Sequence, residues 1–239
     1  MPSSKTADVI PLKDENPTRL VPVVTVSLIA LNVLTYIWQA SLGPDEHYGI
    51  LRWGLTPLEL RGVFTYAHGD FSPRPMVTVF TSMFLHGHLL HLAGNMLFLW
   101  IFGDNVEETL GHLRFILFYL ATGAAGSLTQ VFTSADPTVA MIGASGAISG
   151  VLGAYLILYP LARIVTFVPL FFYFTIVRVP AFVFIIFWFV IQLLGGVASS
   201  GGTGGGIAFL AHIGGFVAGA ALILPRARNF GVKRILRLH

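Results

Sequence analysis

The chain has 239 residues, 55% hydrophobic and 10% charged, with a formal net charge of +3. Soluble domains are roughly 25% charged, so the composition excludes an ordinary soluble domain, and the small net charge gives no ground for a nucleic-acid partner. The absence of cysteine excludes disulfides, a thiolate nucleophile and Cys-ligated zinc.

Residues 1–20 are polar and contain Asp8, Pro11, Asp14, Glu15 and Pro17. They lack the basic stretch and short apolar core of a cleavable signal peptide and read as a tail before a retained first helix. A membrane span needs about 20 apolar residues. On that measure helices are expected at about 21–41, 84–103, 113–133, 145–160, 180–197 and 206–225. The fold class is all-α, a polytopic membrane bundle of six transmembrane helices. The fourth helix is short for a span and is expected inside the bundle. The chain divides into a cytoplasmic tail over 1–20, a membrane domain over 21–225 and a basic cytoplasmic tail over 226–239.

Orientation follows from the basic residues. With six spans, Lys5, Lys13, Arg19, Arg114, Arg163, Arg178, Arg226, Arg228, Lys233, Arg234 and Arg237 share one side, and only Arg52, Arg61 and Arg74 face the other. The positive-inside rule makes the richer side cytoplasmic. A seventh span over 163–178 would put one basic tail outside, so this aromatic segment, broken by Pro169, is taken as a cytoplasmic-side interfacial connection. The long connection 42–83, with Tyr48, Trp53 and Tyr66, suits an interfacial lid or plug. Asp104 and Glu107, placed just past the second helix, look like a cap with its acidic partner three residues on. On this division no Asp or Glu lies within any span. Gly195–Gly206 holds seven glycines and is expected to be a mobile loop. The preceding helix carries Phe184, Phe187, Trp188 and Gln192 on one face that could close against helix 2.

Three polar islands interrupt the apolar runs: His91 with Asn95, Ser145 within Gly143–Gly150, and His212. Polar groups inside a bilayer are costly and mark function. Helices 2, 4 and 6 all run inward, so the islands share the outer leaflet. His91 and Asn95, four apart, share a helix face. Gly146, Gly150 and Ala154 on helix 4 and Gly215 and Gly219 on helix 6 form small-residue ridges that permit close approach, bringing Ser145 within reach of His212. With no acid in a span, the sequence permits a Ser-His dyad rather than a triad. Asn95, His91 and the backbone N–H groups opening helix 4 are available for an oxyanion. His86, His88 and His91 could suggest a metal, but no carboxylate or cysteine accompanies them and no His-Glu-x-x-His motif is present, which disfavours a metalloprotease. No metal or other cofactor is expected.

The residues resemble the rhomboid intramembrane serine proteases of bacterial type. The matching pieces are Phe84-Leu85-His86-Gly87, His91-x-x-x-Asn95-Met96, Phe102-Gly103-Asp104-Asn105-Val106-Glu107, Gly143-Ala144-Ser145-Gly146 and Ala211-His212-Ile213-Gly214-Gly215, with Asp14-Glu15-Asn16-Pro17-Thr18 as a leader. The resemblance implies Ser145 as nucleophile and His212 as general base. It implies that His91 and Asn95 help the Ser145 and Gly146 backbone bind the oxyanion, that Gly143 admits the substrate backbone, and that helix 5 and the loop after it form a gate and cap. Two departures stand out. Many relatives carry Trp-Arg in the first long loop, where Arg74–Thr81 here has no Trp. Many place an aromatic four residues after the nucleophile, where this chain has Ser149, so His212 must be oriented by something else.

The implied function is a serine endopeptidase of the bacterial plasma membrane that cuts single-pass transmembrane proteins within or beside their helix. Because a helix hides its carbonyls in hydrogen bonds, substrates should carry helix-weakening residues near their outer end. The alternative is a non-proteolytic rhomboid-like scaffold that binds client helices. A small transporter would need paired broken helices or internal repeats, and the sequence has neither.

Overall fold

The computed structural model describes residues 10–65, 72–134, 136–170, 173–199 and 209–236. Among them, the long helices are α1 (Val23–Ser41), α5 (Leu89–Leu110), α6 (His112–Thr133), α7 (Ser145–Leu158), α8 (Ala181–Ser199) and α9 (Phe209–Leu236). Short helices α2 (Glu46–Trp53), α3 (Pro57–Thr65) and α4 (Arg74–Thr81) fold the connection expected as a loop over 42–83. Strands β1 (Ile10–Asp14), β2 (Arg163–Leu170) and β3 (Tyr173–Pro180) form one antiparallel sheet in the order β1-β2-β3.

The pattern of α1 shows which solvent the fold is built for. Its buried positions are Thr25, Leu28, Asn32 and Gln39, while Leu31, Leu34, Ile37 and Trp38 are exposed. A helix in water would reverse this, hiding its apolar stripe. Exposed apolar and buried polar residues fit a surface in contact with hydrocarbon. Four helices, α1, α5, α6 and the Phe209–Ala227 part of α9, are long and apolar enough to cross a membrane. Helix α7, at 14 residues, falls short of that length. Helix α7 has every residue from Ala147 to Tyr155 buried and forms the axis of the core, as its shortness predicts.

The bundle has two unlike ends. At the sheet end, β2 and β3 pair from Arg163↔Pro180 to Leu170↔Tyr173, so the segment expected as an interfacial connection is a β-hairpin. Its β-branched and aromatic run favours strands. The tail residues Ile10–Asp14 add β1 alongside β2, which corrects the purely α fold. Asp14 Oδ2 accepts hydrogen bonds from Tyr155 Oη at 2.8 Å and Asn105 Nδ2 at 2.8 Å, and Asn16 donates to Asn105 Oδ1. Helix α5 runs past the expected end to Leu110, so Asp104 and Glu107 lie inside it, against the reading of both as a cap and of acid-free spans. Glu107 is fully buried and caps α1 instead. It accepts from the N–H groups of Val24 (2.9 Å) and Thr25 (2.8 Å), from Thr25 Oγ1 (2.6 Å), and pairs with His112 Nδ1 at 2.6 Å. Those N–H groups have no partner within their own helix, and this match lets a carboxylate be buried. Helix α9 likewise continues through Pro225 to Leu236, so the expected C-terminal tail begins as helix.

At the opposite end, three tethers hold the 42–83 connection in place of the missing Trp-Arg pair. Arg74 donates to the carbonyls of Leu51 (Nη2, 2.6 Å) and Arg52 (Nε, 3.3 Å) and pairs with Glu59 at 3.3 Å. Thr81 Oγ1 donates to the Trp53 carbonyl at 2.7 Å. Arg61 donates to the carbonyls of Val131 (2.6 Å) and Ser134 (3.0 Å) at the end of α6. Tyr66 lies outside the described residues. Of the expected loop over 195–206, residues 195–199 complete α8, and the rest lies outside the described residues.

Candidate active site

Ser145 opens α7, His91 is the third residue of α5 and His212 the fourth of α9. All three therefore sit in the first turn of their helices, at the end away from the sheet. The turn before α7 is set by Gly143, whose φ of +125° lies in a region L side chains avoid. Its N–H donates to the Ser82 carbonyl at 2.9 Å. A Cβ at Gly143 would lie 3.0 Å from His91 Nε2 and 3.7 Å from Ser145 Oγ. The missing side chain is thus the space between the His91 ring and the Ser145 hydroxyl.

Ser145 Oγ and His212 Nε2 are 2.7 Å apart, across 67 residues of sequence. Ser145 is half-buried, His212 is buried, and His212 Nδ1 has no hydrogen-bond partner among the described residues. The contact rests on the two glycine ridges read from the sequence. A Cβ on Gly215 would fall 2.0 Å from the Gly146 carbonyl oxygen, and one on Gly219 2.1 Å from that of Gly150. Only hydrogen allows the α7 and α9 backbones to meet this closely. Helix α6 braces the same turn, where the Gln130 Oε1 accepts the Ala211 N–H at 3.2 Å.

In place of the aromatic missing at 149, the His212 ring has two neighbours. The Trp188 ring centroid lies 6.1 Å away and that of Phe209 6.2 Å away. Ser149 instead donates to the Ser145 carbonyl at 2.7 Å. Trp188 also packs on Phe98 of α5 at 5.4 Å. The aromatic face expected on α8 is divided. Phe184 is buried and Trp188 partly buried, but Phe187 is 47% exposed and points away from the bundle. The side chain of Gln192 is outside the described residues.

The first bond within α7 runs from the Ile148 N–H to the Ala144 carbonyl at 3.0 Å, so among the described residues the N–H groups of Ser145, Gly146 and Ala147 have no partner at a helix N-terminus. That end attracts negative charge. Asn95 lies one turn below His91 on the same face and is buried, with its Nδ2 2.9 Å from His86 Nε2. His88 is otherwise employed, since its Nδ1 accepts the His91 N–H at 3.1 Å and caps α5. Among the described residues no three His, Cys, Asp or Glu side chains are grouped to hold a metal ion. Gln39 escaped the sequence reading of the site and His86 entered it only as a possible metal ligand and in a matching motif, although Thr25, Asn32 and Gln39, all polar at helical spacing in an apolar run, were a visible sign that α1 buries a polar face.

Residues 73–229 match the Rhomboid domain. The chain is 40% identical over 159 residues to the rhomboid protease GluP of Bacillus subtilis, a match covering 65% of this chain and 28% of that protein. It is 38% identical over 96 residues to the mitochondrial rhomboid protein 1 of Saccharomyces cerevisiae, covering 38% of this chain and 28% of that one. RHOMBOID-like protein 5 of Arabidopsis thaliana is 39% identical over 74 residues, 31% of this chain and 24% of the relative. The matches thus span under a third of these relatives' lengths. The chain is a multi-pass membrane protein and belongs to the rhomboid family.

Proposed function

We propose that this chain is an intramembrane serine endopeptidase working through a Ser145–His212 dyad. The observation that carries the reading is the 2.7 Å contact between Ser145 Oγ and His212 Nε2 in a half-exposed first turn. In the proposed reaction His212 Nε2 takes the Ser145 proton as Oγ attacks the scissile carbonyl carbon. The tetrahedral oxyanion is held by the N–H groups of Ser145 and Gly146 with His91 and Asn95, and Gly143 leaves room for the substrate backbone. Collapse expels the amine, which takes the proton from His212. Water, activated by the same imidazole, then hydrolyses the acyl-enzyme and frees Ser145. Nδ1 needs no acid in this scheme, consistent with its lack of a partner among the described residues.

The substrate is proposed to be a single-pass membrane protein whose helix carries Gly, Pro or small residues near its outer end, because intact helices bury the bonds to be cut. The proposed topology has six spans and cytoplasmic termini in a bacterial plasma membrane, supported by the basic asymmetry and by α7 and α8 as two further apolar helices beside the four candidate spans. The segment 21–225 would then be the membrane domain, flanked by tails at 1–20 and 226–239. A single cysteine added near His239 should resist an impermeant maleimide in intact cells, and labelling from outside would overturn this topology.

The decisive experiment incubates the purified protein with a defined single-pass substrate, maps the cut by mass spectrometry, and labels the enzyme with a fluorophosphonate. Cleavage and labelling should both vanish in Ser145→Ala, and His212→Ala should lose at least about 10³-fold in turnover. Unlabelled wild-type protein that still binds client helices would instead establish the scaffold reading.

A further inference from the structure

Three buried polar side chains outside the Ser145–His212 contact form one chain of hydrogen bonds. Gln39 lies in the last turn of α1, His86 in the bend before α5 and Asn95 in α5, and they are 0%, 0% and 9% exposed. The Gln39 amide grips the backbone of His86 from both sides. Its Oε1 accepts the His86 N–H at 3.0 Å and its Nε2 donates to the His86 carbonyl at 3.2 Å. The His86 imidazole then reaches Asn95, Nε2 to Nδ2, at 2.9 Å.

The chemistry of an amide explains why this chain matters. Asn95 can turn about its terminal torsion and exchange oxygen for nitrogen, since that torsion is broad and roughly two-fold. With Nδ2 toward a developing oxyanion it stabilises charge, and with Oδ1 it repels. His86 lies outside the helices, and burial, helped by His91, pushes its ring down to about 4, so it is neutral. Nε2 faces the Asn95 Nδ2, an amide nitrogen that can only donate, so Nε2 is the acceptor and the ring proton sits on Nδ1. Among the described residues Nδ1 meets no hydrogen-bond partner. Breaking any link would leave buried polar groups without partners.

We propose that Gln39 and His86 are positioning residues: Gln39 locks the His86 backbone, and His86 Nε2 takes one Asn95 hydrogen so that the amide presents its other N–H to the oxyanion. This rests on the dyad reading above and assigns the site two residues that never touch substrate.

Steady-state cleavage of the single-pass substrate by the purified full chain tests it. Gln in place of His86 sets an acceptor near Nε2, whereas Asn stops near Nδ1 and falls short of Asn95. His86→Asn should lower kcat about 10-fold at unchanged KM, in keeping with the steep loss from small misplacements. His86→Gln should recover most of it. In an Asn95→Ala background His86→Asn should cost nothing further, because its effect passes through Asn95. Gln39→Leu should follow the same cycle, and it decides the matter if His86→Asn fails to fold by thermal unfolding. Equal losses in both backgrounds, or His86→Asn matching His86→Gln, would make these residues merely structural and overturn the proposal. Cleavage that survives in Ser145→Ala would instead sink the dyad reading, and the positioning role with it.

Discussion

Gly143 is where one hydrogen atom separates the two halves of the site. Its φ of +125° disfavours any side chain, and a Cβ there would press on His91 Cε1 at 2.9 Å. Gly143→Ala should therefore displace the His91 ring and narrow the approach to Ser145 together. The backbone strain amounts to about 1–3 kcal/mol, within what a folded bundle tolerates. We expect kcat to fall at least about 10-fold while the protein still unfolds cooperatively, since misplacement alone suffices for such a loss. Turnover within twofold of wild type would mean that His91 takes no part near Ser145.

At the scale of elements, the α7–α9 contact turns small residues into a hydrogen-bonding distance. In Gly215→Ala the new methyl would meet the Gly146 carbonyl, a backbone atom that no rotamer change can move aside. The helices must separate, and the 2.7 Å Ser145–His212 contact lengthens with them. Overpacking of this kind costs about 1–3 kcal/mol, and a 1 Å displacement at a reacting pair about 10²-fold in rate. Cleavage should therefore fall far more than thermal stability, and a variant cutting at the wild-type rate would show the ridge contact to be dispensable. Helix α8 makes a second, separable claim. Trp188 is wedged between Phe98 and His212, whereas Phe187 faces outward. Trp188→Ala should slow fluorophosphonate labelling of Ser145 about 2- to 10-fold, the equivalent of one lost aromatic contact. Phe187→Ala should leave labelling unchanged, and equal effects from the two would remove the distinction between them.

For the whole molecule, the N-terminal strand ties the far end of the chain to the core. Asp14, in β1 and outside the spans, is pushed up to about 6, chiefly by burial and further by the nearby Asp104, against the hydrogen bonds from Tyr155 and Asn105. A carboxyl that binds its proton more tightly when docked favours docking at low pH. The contribution is full below about 4 and is lost as pH rises through about 6. Amide exchange over Ile10–Asp14, corrected for its intrinsic rate, should be slower at pH 5 than at pH 7. Asp14→Asn keeps an acceptor for Tyr155 and should abolish the difference. Equal protection of the wild-type strand at both pH values would refute this.

Composition and hydropathy alone determined that the chain is a membrane bundle, because an apolar run of span length has few other stable environments. The residue types and order of the Ser145, His212, His91 and Asn95 islands pointed to acyl-transfer chemistry. The glycine ridges could be read as well, since close approach is a local property of residue size. Tertiary structure decided what depends on distant partners. Asp14 meets Tyr155 across 141 residues and recruits the tail into a sheet. Glu107 could be buried inside α5 only because the N-terminus of α1 supplies its donors, 82 to 83 residues earlier in sequence. Gln39 and His86, 47 residues apart, pair through an amide and a backbone that no sequence spacing relates. A polar side chain in an apolar run announces that it needs a partner, but only the fold brings that partner within hydrogen-bond reach.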